Sequence, residues 1–325
     1  MPAVSYRLYG LTLESRLALP CVRAAVRAQP DVRLRAGNAR RFARARQELL
    51  VSGHSRGWFQ HHRLADGTRY LRWARLFEFL VSPEGRRIQY LRLEHATRES
   101  FGVYLLGQVL SFSLLALGLE ALHGTVVEVD GEAVAFVGDC GYGKSTLGAA
   151  MLARGRPILT DDLVALESYA DSWRVHPGIP RLKLYPSVAR AFLKSDVRGT
   201  PLNRGTSKLV LPLDPGQSTS RALPLRAIYV LPRPRRAEGR KSARVHIEEL
   251  SSGAAFLEVL RATFNPVVVD SSRLANQFDV ACRLAAAVPV RRLTYRRDLS
   301  LLPAVCDAVL GDLAGSRLRR PRHDG

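Results

Sequence analysis

A chain of 325 residues, 46% of them hydrophobic, has the length and composition of a globular protein large enough for two domains. Its formal net charge of +20 suits an acidic protein or peptide partner, but the basic residues are spread along the chain rather than clustered, so we expect no nucleic-acid interface. The four cysteines lack metal-ligand spacing and the N-terminus lacks an apolar signal segment, which excludes a zinc module and favours a reduced, cytoplasmic location.

The first part of the chain, residues 1–100, has the alternating apolar pattern of antiparallel strands. Residues 6–13 predict a first strand, and Asp66 and Gly67 predict the turn of a later hairpin. The arginine-rich residues 38–50 are compatible with a loop or a short helix. Because no catalytic constellation occurs here, we interpret this part as a β-rich N-terminal domain that recognises the substrate.

An uncharged apolar stretch, residues 101–119, comes next. By length alone it would just span a bilayer. Polar Gln108, Ser111 and Ser113 interrupt it, however, and the chain continues into a hairpin without a linker. We therefore predict a core helix rather than a membrane span.

Residues 138–145 read GDCGYGKS and fit the phosphate-loop pattern G-x-x-x-x-G-K-[ST]. An apolar run of strand length precedes them, and a helix-forming run that ends at Gly155 follows. This context predicts a nucleotide site at a helix N-terminus, with Lys144 on the β and γ oxygens and Ser145 on Mg²⁺. The other nucleotide-binding residues that the motif predicts are Gly138, Asp139, Cys140, Gly141, Tyr142, Gly143 and Thr146.

A histidine lies upstream of this loop in a position that hairpin register defines. Asp130 and Gly131 form a strong two-residue turn. Counting outward from that turn pairs His123 with Gly138, which brings His123 beside the mouth of the phosphate loop. His123 is therefore a candidate site residue, with an ordinary surface or core histidine as the alternative.

Two adjacent carboxylates follow the next apolar run. Residues 157–160 predict a short strand that ends in Asp161 and Asp162. Carboxylates at the C-terminal end of such a strand point into the ligand crevice of an α/β sheet. Because neighbours on a strand face opposite ways, we expect one aspartate to serve the nucleophile and the other to serve the metal or the fold. An Asp-rich turn is the alternative.

Together, His123-Gly124, the phosphate loop and the Asp161-Asp162 pair close behind Lys144 resemble the HPr kinase/phosphorylase family over residues 122–166. The compact spacing is specific, because in most phosphate-loop enzymes the acidic strand comes much later in the chain. The resemblance implies that Asp161 takes the proton from a serine hydroxyl with the assistance of His123, which leaves Asp162 for the metal or the fold.

The sequence departs from that family in three places. The N-terminal part differs, the downstream glutamate metal ligand is not found in its usual setting, and Cys140 stands where serine is usual. The layout is more similar to HPr-kinase-like proteins associated with peptide maturation. Those include lasso-peptide kinases that phosphorylate the C-terminal serine of a precursor.

Two basic segments downstream are candidates for contact with phosphate or substrate. Arg181 and Lys183 alternate with leucines, so both lie on one face of an extended segment, for which a solvated face is the alternative. Residues 198–208 predict a loop that closes over the site, where Arg204 and Lys208 would neutralise charge in the transition state. An ordinary surface loop explains this segment equally well.

These observations predict an α/β fold with a β-rich N-terminal domain over residues 1–100, a P-loop kinase domain of the HPr kinase C-terminal type over 101–315, and a disordered basic tail over 316–325. The predicted function is an ATP- and Mg²⁺-dependent kinase for a serine of a peptide or protein, with a homo-oligomer left open. The alternatives are an HPr(Ser) kinase/phosphorylase that regulates carbon metabolism, a small-molecule kinase, and a nucleotide-binding regulator without phosphotransfer.

Overall fold

The structure is a computed structural model that describes residues 2–24, 29–52, 57–93, 96–169, 172–193, 199–203, 205–233 and 245–319. Within these residues the chain forms a mixed α/β fold with sheets of eight, seven and three strands. The predicted α/β class is therefore confirmed at this level. The division into domains stays a prediction.

The N-terminal sheet has the strand order β3-β1-β2-β4-β8-β7-β6-β5. Its pairs are antiparallel except β2–β4 and β4–β8, which are parallel. The strands are β1 (Val4–Leu8), β2 (Leu11–Ser15), β3 (Val22–Arg23), β4 (Val32–Ala36), β5 (Phe59–Arg63), β6 (Arg69–Trp73), β7 (Phe77–Val81) and β8 (Arg87–Arg92).

The prediction of a single first strand over residues 6–13 was wrong. The chain reverses at Tyr9 and Gly10, whose φ values of 55° and 82° form a tight hairpin turn between β1 and β2. The hairpin predicted at Asp66 and Gly67 is confirmed between β5 and β6. The arginine-rich segment forms helix α1 (Ala39–Val51), which the side chain of Asn38 caps.

The apolar stretch forms α2 (Arg98–Tyr104), a π-helical turn (Leu105–Val109) and α3 (Leu110–Ala116) in succession. Thr97 caps α2 by accepting a hydrogen bond from the backbone of Ser100. Buried side chains of this helical stretch pack in one cluster with residues of the N-terminal sheet and with Leu163 and Ala165. The predicted core helix is confirmed.

Among the residues that the structure describes, two helical stretches are long and apolar enough to cross a membrane by length and composition alone, Arg98–Ala116 and Leu299–Ser316. Within the chain's own fold, 67% of the first window and 28% of the second are buried. Core helices of soluble proteins meet the same criterion, so these stretches are weak evidence for a membrane protein. The cytoplasmic location stays a prediction.

The second sheet has the order β10-β9-β11-β12-β16-β18-β17, and β10 also pairs with β16. The β10–β16 and β16–β18 pairs are parallel, while β9 pairs antiparallel with both β10 and β11. Its strands are β9 (Ala121–Val129), β10 (Glu132–Val137), β11 (Ile158–Tyr169), β12 (Ser172–Val175), β16 (Leu223–Val230), β17 (His246–Glu249) and β18 (Val290–Thr294).

A small antiparallel sheet and five helices complete the described chain. The predicted loop over residues 198–208 was wrong for its described residues, which form the hairpin of β14 and β15. Polar β-branched residues in that segment suit a strand as well as a loop. The elements are β13 (Arg181–Leu184), β14 (Thr200–Asn203), β15 (Thr206–Pro212), α4 (Lys144–Ala153), α5 (Pro186–Phe192), α6 (Ser252–Arg261), α7 (Ser271–Ala287) and α8 (Leu302–Arg319), with 3₁₀ turns at Pro215–Gln217 and Leu299–Leu301.

Two predictions fall partly outside the described residues. Helix α8 runs through Arg319, so residues 316–319 are helical and not a disordered tail, while 320–325 lie outside the described residues. Arg204 also lies outside the described residues.

Candidate active site

The hairpin of β9 and β10 sets the geometry of the site. Asp130 and Gly131 have φ values of 53° and 82°, as a two-residue hairpin turn requires. Val129 pairs with Glu132, and the register continues without a shift to Gly124 opposite Val137. The next residue along each strand is His123 and Gly138. The predicted register is therefore confirmed, and His123 lies beside the entrance of the phosphate loop.

The loop between β10 and α4 exposes backbone donors. Gly143 is the N-cap residue of α4 with a φ of 92°, and no described side chain caps that end of the helix. Gly138 has a φ of 141°, and a Cβ atom there would lie 2.7 Å from the carbonyl oxygen of Leu231. The N–H groups of the first turn are thus oriented for an anion, as in other phosphate loops.

Lys144 turns back onto the loop that precedes it. Its Nζ donates to the carbonyl oxygens of Gly138 at 2.7 Å and Asp139 at 2.9 Å. Burial lowers the pKa of Lys144 to about 8, and the nearby negative charge of Asp161 offsets part of this effect. The phosphates of a nucleotide would supply the negative charge that this buried ammonium needs.

Asp161 lies at the centre of the hydrogen-bond network around the helix start. Its Oδ1 accepts from the hydroxyls of Thr125 at 2.7 Å and Ser145 at 2.8 Å. Gly148 allows α4 to approach this closely, because a Cβ atom there would lie 2.6 Å from Thr125 Cγ2. Ser145 and Asp161 are therefore brought together where a metal ion on a bound nucleotide would lie.

Asp162 is the next residue of β11, and it has a left-handed backbone with a φ of 84°. Its carboxylate pairs with the ammonium of Lys183 on β13. The backbone N–H of Lys183 donates to Asp161 Oδ2 at 3.1 Å. Lys183 therefore contacts both aspartates, through its backbone for one and its side chain for the other.

His123 is half-buried between the loop and a neighbouring segment. Its backbone N–H donates to the carbonyl of Ala262 at 2.6 Å, and its ring packs edge-on against Phe264 with centroids 5.7 Å apart. Burial, together with the positive charges of Lys144 and Lys183, lowers the pKa of His123 to about 4. The ring is therefore neutral at pH 7 and offers one nitrogen as a hydrogen-bond acceptor.

A cavity of about 310 Å³ adjoins these groups, and we call it the reactive cavity. His123, Asp162 and Lys183 line one side of it. Other parts of its wall come from α2 and the π-helical turn, from β14 and from the segment before α7. Its other lining residues are Val103, Tyr104, Gly107, Gln108, Leu202, Thr263, Phe264, Asn265 and Pro266.

The sequence did not predict Gln108 and Asn265 as part of this cavity. The side chain of Gln108 donates to Asn265, and Asn265 donates to Ser111. Gln108 and Ser111 are polar residues that interrupt the apolar stretch, and this interruption was the available signal. Asn265 also has a left-handed φ of 55°, which no pattern in the sequence indicates.

The remaining predicted nucleotide residues lie along the loop. Asp139, Cys140 and Gly141 are exposed, while Tyr142 and Thr146 are half-buried. Among the described residues, no group of three or more His, Cys, Asp or Glu side chains is arranged to hold a metal ion. The donor set instead fits Mg²⁺, which usually takes one or two protein oxygens and completes its shell with substrate phosphates and water. Ser145 and Asp161, which share a hydrogen bond, would supply the protein oxygens, whereas the carboxylate of the predicted ligand Asp162 is paired with Lys183.

Comparison with known proteins gives one curated sequence relative. No family model matches the chain. HPr kinase/phosphorylase of Lachnoclostridium phytofermentans is 37% identical over 74 residues, which are 23% of this chain and 22% of the relative. The match thus spans less than a quarter of the relative's length.

A solved structure was also found, that of the HPr(Ser) kinase/phosphatase from Coxiella burnetii. It covers 61% of this chain and 97% of its own, with 12% sequence identity and a TM-score of 0.32. We therefore base the comparison on the sequence relative and not on this structure. The predicted resemblance to the HPr kinase/phosphorylase family is confirmed by this 74-residue match.

Proposed function

We propose that this chain is an ATP- and Mg²⁺-dependent kinase of the HPr kinase type, which transfers the γ-phosphate to a serine hydroxyl of a protein or peptide. The observation that carries the proposal is the contact of Ser145 Oγ with Asp161 Oδ1 at 2.8 Å, directly behind an uncapped phosphate loop. A nucleotide binder without chemistry needs the loop and also uses a carboxylate at the metal, but it does not need a second carboxylate beside an adjoining cavity.

Each group has a defined task in the proposed reaction. In phosphoryl transfer the protein mainly positions the reactants and neutralises charge. The N–H groups of the loop and the ammonium of Lys144 would hold the β and γ phosphates, and Ser145 would bind the metal. Mg²⁺ held there would neutralise negative charge on the nucleotide phosphates.

The base remains Asp161, as the resemblance implies, with Asp162 as the competing candidate. Asp161 contacts the hydroxyl of Ser145, which favours a position at the metal, whereas Asp162 lines the reactive cavity. A base must reach the proton of the acceptor hydroxyl directly or through one water. Neutral His123 lies beside Asp162 on the cavity wall and would accept from, or orient, that hydroxyl.

HPr is the first acceptor to test, because the sequence relative is named HPr kinase/phosphorylase. The name of this relative gives no support to a lasso-peptide precursor as the acceptor. The homo-oligomer and the reverse, phosphorylase reaction are likewise proposals. A small-molecule kinase is less well supported, because no observation points to a specific small substrate.

The proposed function is tested by incubating the purified full chain with MgATP and with HPr or with the precursor peptide encoded nearest its gene. Intact mass would report a gain of one phosphate, and tandem mass spectrometry would locate it. We expect phosphate on a serine of HPr.

The other outcomes are equally specific. Phosphate on the precursor peptide alone would move the acceptor assignment to peptide maturation and keep the kinase. Saturable MgATP binding with no transfer to either acceptor, and no ATP turnover, would favour the nucleotide-binding regulator over the kinase.

A further inference from the structure

A second, larger cavity of about 860 Å³ lies outside the groups that carry the proposed chemistry, and we call it the apolar cavity. The segment over residues 17–22 forms one wall, α2 forms another, and strands β13–β15 close it. Its volume is within the range of about 300–1,000 Å³ that ligand sites occupy. Among its apolar lining residues are Leu17, Leu19, Phe101, Ile179, Val210 and Leu213.

Arg181 on β13 lines the apolar cavity and is 8% exposed. Within the described residues, its guanidinium makes no ion pair or hydrogen bond; its nearest charged or titratable neighbours are Tyr9, Cys21 and Asp161. Burial lowers the pKa of Arg181, and even so an arginine stays charged in a protein. A guanidinium on the wall of a mainly apolar cavity, with no hydrogen bond or ion pair of its own among the described residues, favours an anionic ligand in that cavity.

The charge of the cavity wall favours the same kind of ligand. Arg92 and Arg98 also line it, against Glu99 as the acidic lining residue. The guanidinium of Arg92 lies over the ring of Phe101, 5.5 Å from its centroid. A cavity with this surface suits an apolar body that carries one anionic group, and a planar carboxylate matches a guanidinium with two hydrogen bonds.

The apolar cavity adjoins the reactive cavity. Val103 of α2 lines both. Strand β14 also runs along both, with Thr200 in the apolar cavity and Leu202 in the reactive one. A group held at Arg181 therefore belongs to a molecule that can extend toward His123 and Asp162.

We propose that the apolar cavity binds a carboxylate carried on an apolar chain, that Arg181 holds the carboxylate, and that during transfer this group belongs to the acceptor. The assignment of the carboxylate to the acceptor rests on the proposed function, whereas the binding of a carboxylate at Arg181 does not. The acceptor class is thus a polypeptide with apolar side chains and an acidic residue or terminal carboxylate near its reactive serine.

The direct test is calorimetric titration of the full chain with decanoate and with decanamide, which has the same apolar chain and no charge. We expect decanoate to bind the wild-type protein at least about tenfold more tightly than decanamide, the scale of a desolvated charged hydrogen bond. Arg181→Met should remove this difference, and Arg181→Lys should keep part of it. Arg44→Met, which removes an arginine that is 84% exposed on α1, is the matched control.

Thermal unfolding separates a binding role from a structural one. Because Arg181 is buried without a partner, Arg181→Met should raise the unfolding midpoint in the absence of ligand, whereas loss of a structural contact would lower it. Equal binding of decanoate and decanamide by the wild type, or an undiminished preference in Arg181→Met, would overturn the proposal.

A competition experiment between decanoate and the acceptor shows whether the bound carboxylate belongs to the acceptor. It also shows whether a negative result contradicts the binding proposal or the proposed function. Decanoate that competes with the acceptor and leaves MgATP binding unchanged assigns the carboxylate to the acceptor. Decanoate that binds through Arg181 without competing assigns the cavity to a free apolar acid and removes the last part of the proposal. Lys144→Ala should bind decanoate normally, so a failed kinase assay leaves the binding result interpretable.

Discussion

The phosphate loop and the apolar cavity present charge in opposite ways. The loop is eight consecutive residues, and its binding groups are backbone N–H donors and the ammonium of Lys144. Without a nucleotide, this ammonium donates hydrogen bonds to two backbone carbonyl oxygens. The apolar cavity is assembled from residues far apart in the chain around Arg181, which has no partner among the described residues. An anion site built from consecutive backbone N–H groups can therefore be predicted from a sequence motif. An anion site built from residues that are distant in the chain can be identified only in the folded structure.

The largest expected effect is the loss of phosphate transfer when the lysine of the phosphate loop is removed, a change that should leave the apolar cavity intact. Lys144→Ala should reduce transfer by about 10³-fold or more, because charge-neutralising side chains contribute on that scale in phosphoryl transfer. Transfer is measured by radiolabel from ATP into the acceptor at saturating acceptor. Arg44→Ala, at an exposed site on α1, is the control. Transfer that survives in Lys144→Ala would place the nucleotide elsewhere.

The two aspartates test the boundary between the regions, because one contacts the loop and the other lines the reactive cavity. Asp161→Asn should keep MgATP binding and lose transfer by about 10²–10⁴-fold, as removal of a general base does. Asp162→Asn should cost less if Asp162 serves the metal or the fold. Single-turnover rates and calorimetric MgATP titrations measure the two effects separately.

The reverse result is also informative. Loss of Mg²⁺-dependent binding in Asp161→Asn, with intact binding and lost transfer in Asp162→Asn, would exchange their roles. It would make Asp162 the base on the wall of the reactive cavity.

His123 lies between the regions and should show an intermediate effect. His123→Gln keeps a hydrogen-bonding group but changes its geometry, and we expect about 10–100-fold slower transfer, the size typical of residues that orient a reacting group. Because the pKa of His123 is lowered to about 4, the wild-type rate should show no titration of this residue between pH 6 and 7. A step in rate in that interval, absent from His123→Gln, would contradict a neutral ring.

The smallest effect is a pH dependence confined to the loop. The pKa of Lys144 is lowered to about 8, and phosphate binding needs its charged form. Affinity for MgATP should therefore be constant below about pH 8 and fall by up to tenfold per pH unit above it. Titration calorimetry from pH 6.5 to 9.5 measures this.

Lys183 needs a separate control in that experiment, because burial lowers its pKa to about 8 as well. Lys183→Met should retain the alkaline loss of affinity if Lys144 causes it. An unchanged affinity up to pH 9.5 would show that the loop keeps its ammonium charged without phosphate. Decanoate binding at Arg181 should be flat over the same range, which sharpens the contrast between the two regions.

The parts of the fold that the sequence predicted are those with local causes. The turn at Asp130 and Gly131 fixed the register of β9 and β10, and with it the position of His123. The turn at Tyr9 and Gly10 was missed, although the apolar alternation changes phase there, from Tyr6 and Leu8 before the turn to Leu11 and Leu13 after it.

The burial of Arg181 was not predicted for a different reason. Alternating basic and apolar residues on β13 have the same pattern as a strand with one solvated face. The segment over residues 17–22 and helix α2 bury this arginine, and both are distant in the chain. Sequence patterns give the face on which a residue lies but not what packs against that face.

The left-handed backbone of Asp162 limits which amino acids can occupy that position at all. A φ of 84° is tolerated by glycine and, at modest cost, by asparagine and aspartate, while β-branched residues are strongly disfavoured there. Most other substitutions at residue 162 would therefore add a backbone cost of about 1–2 kcal/mol to any effect on the chemistry. Asparagine and glycine variants would therefore report most directly on the carboxylate. Homologous sequences with the same backbone conformation should most often have aspartate, asparagine or glycine at this position.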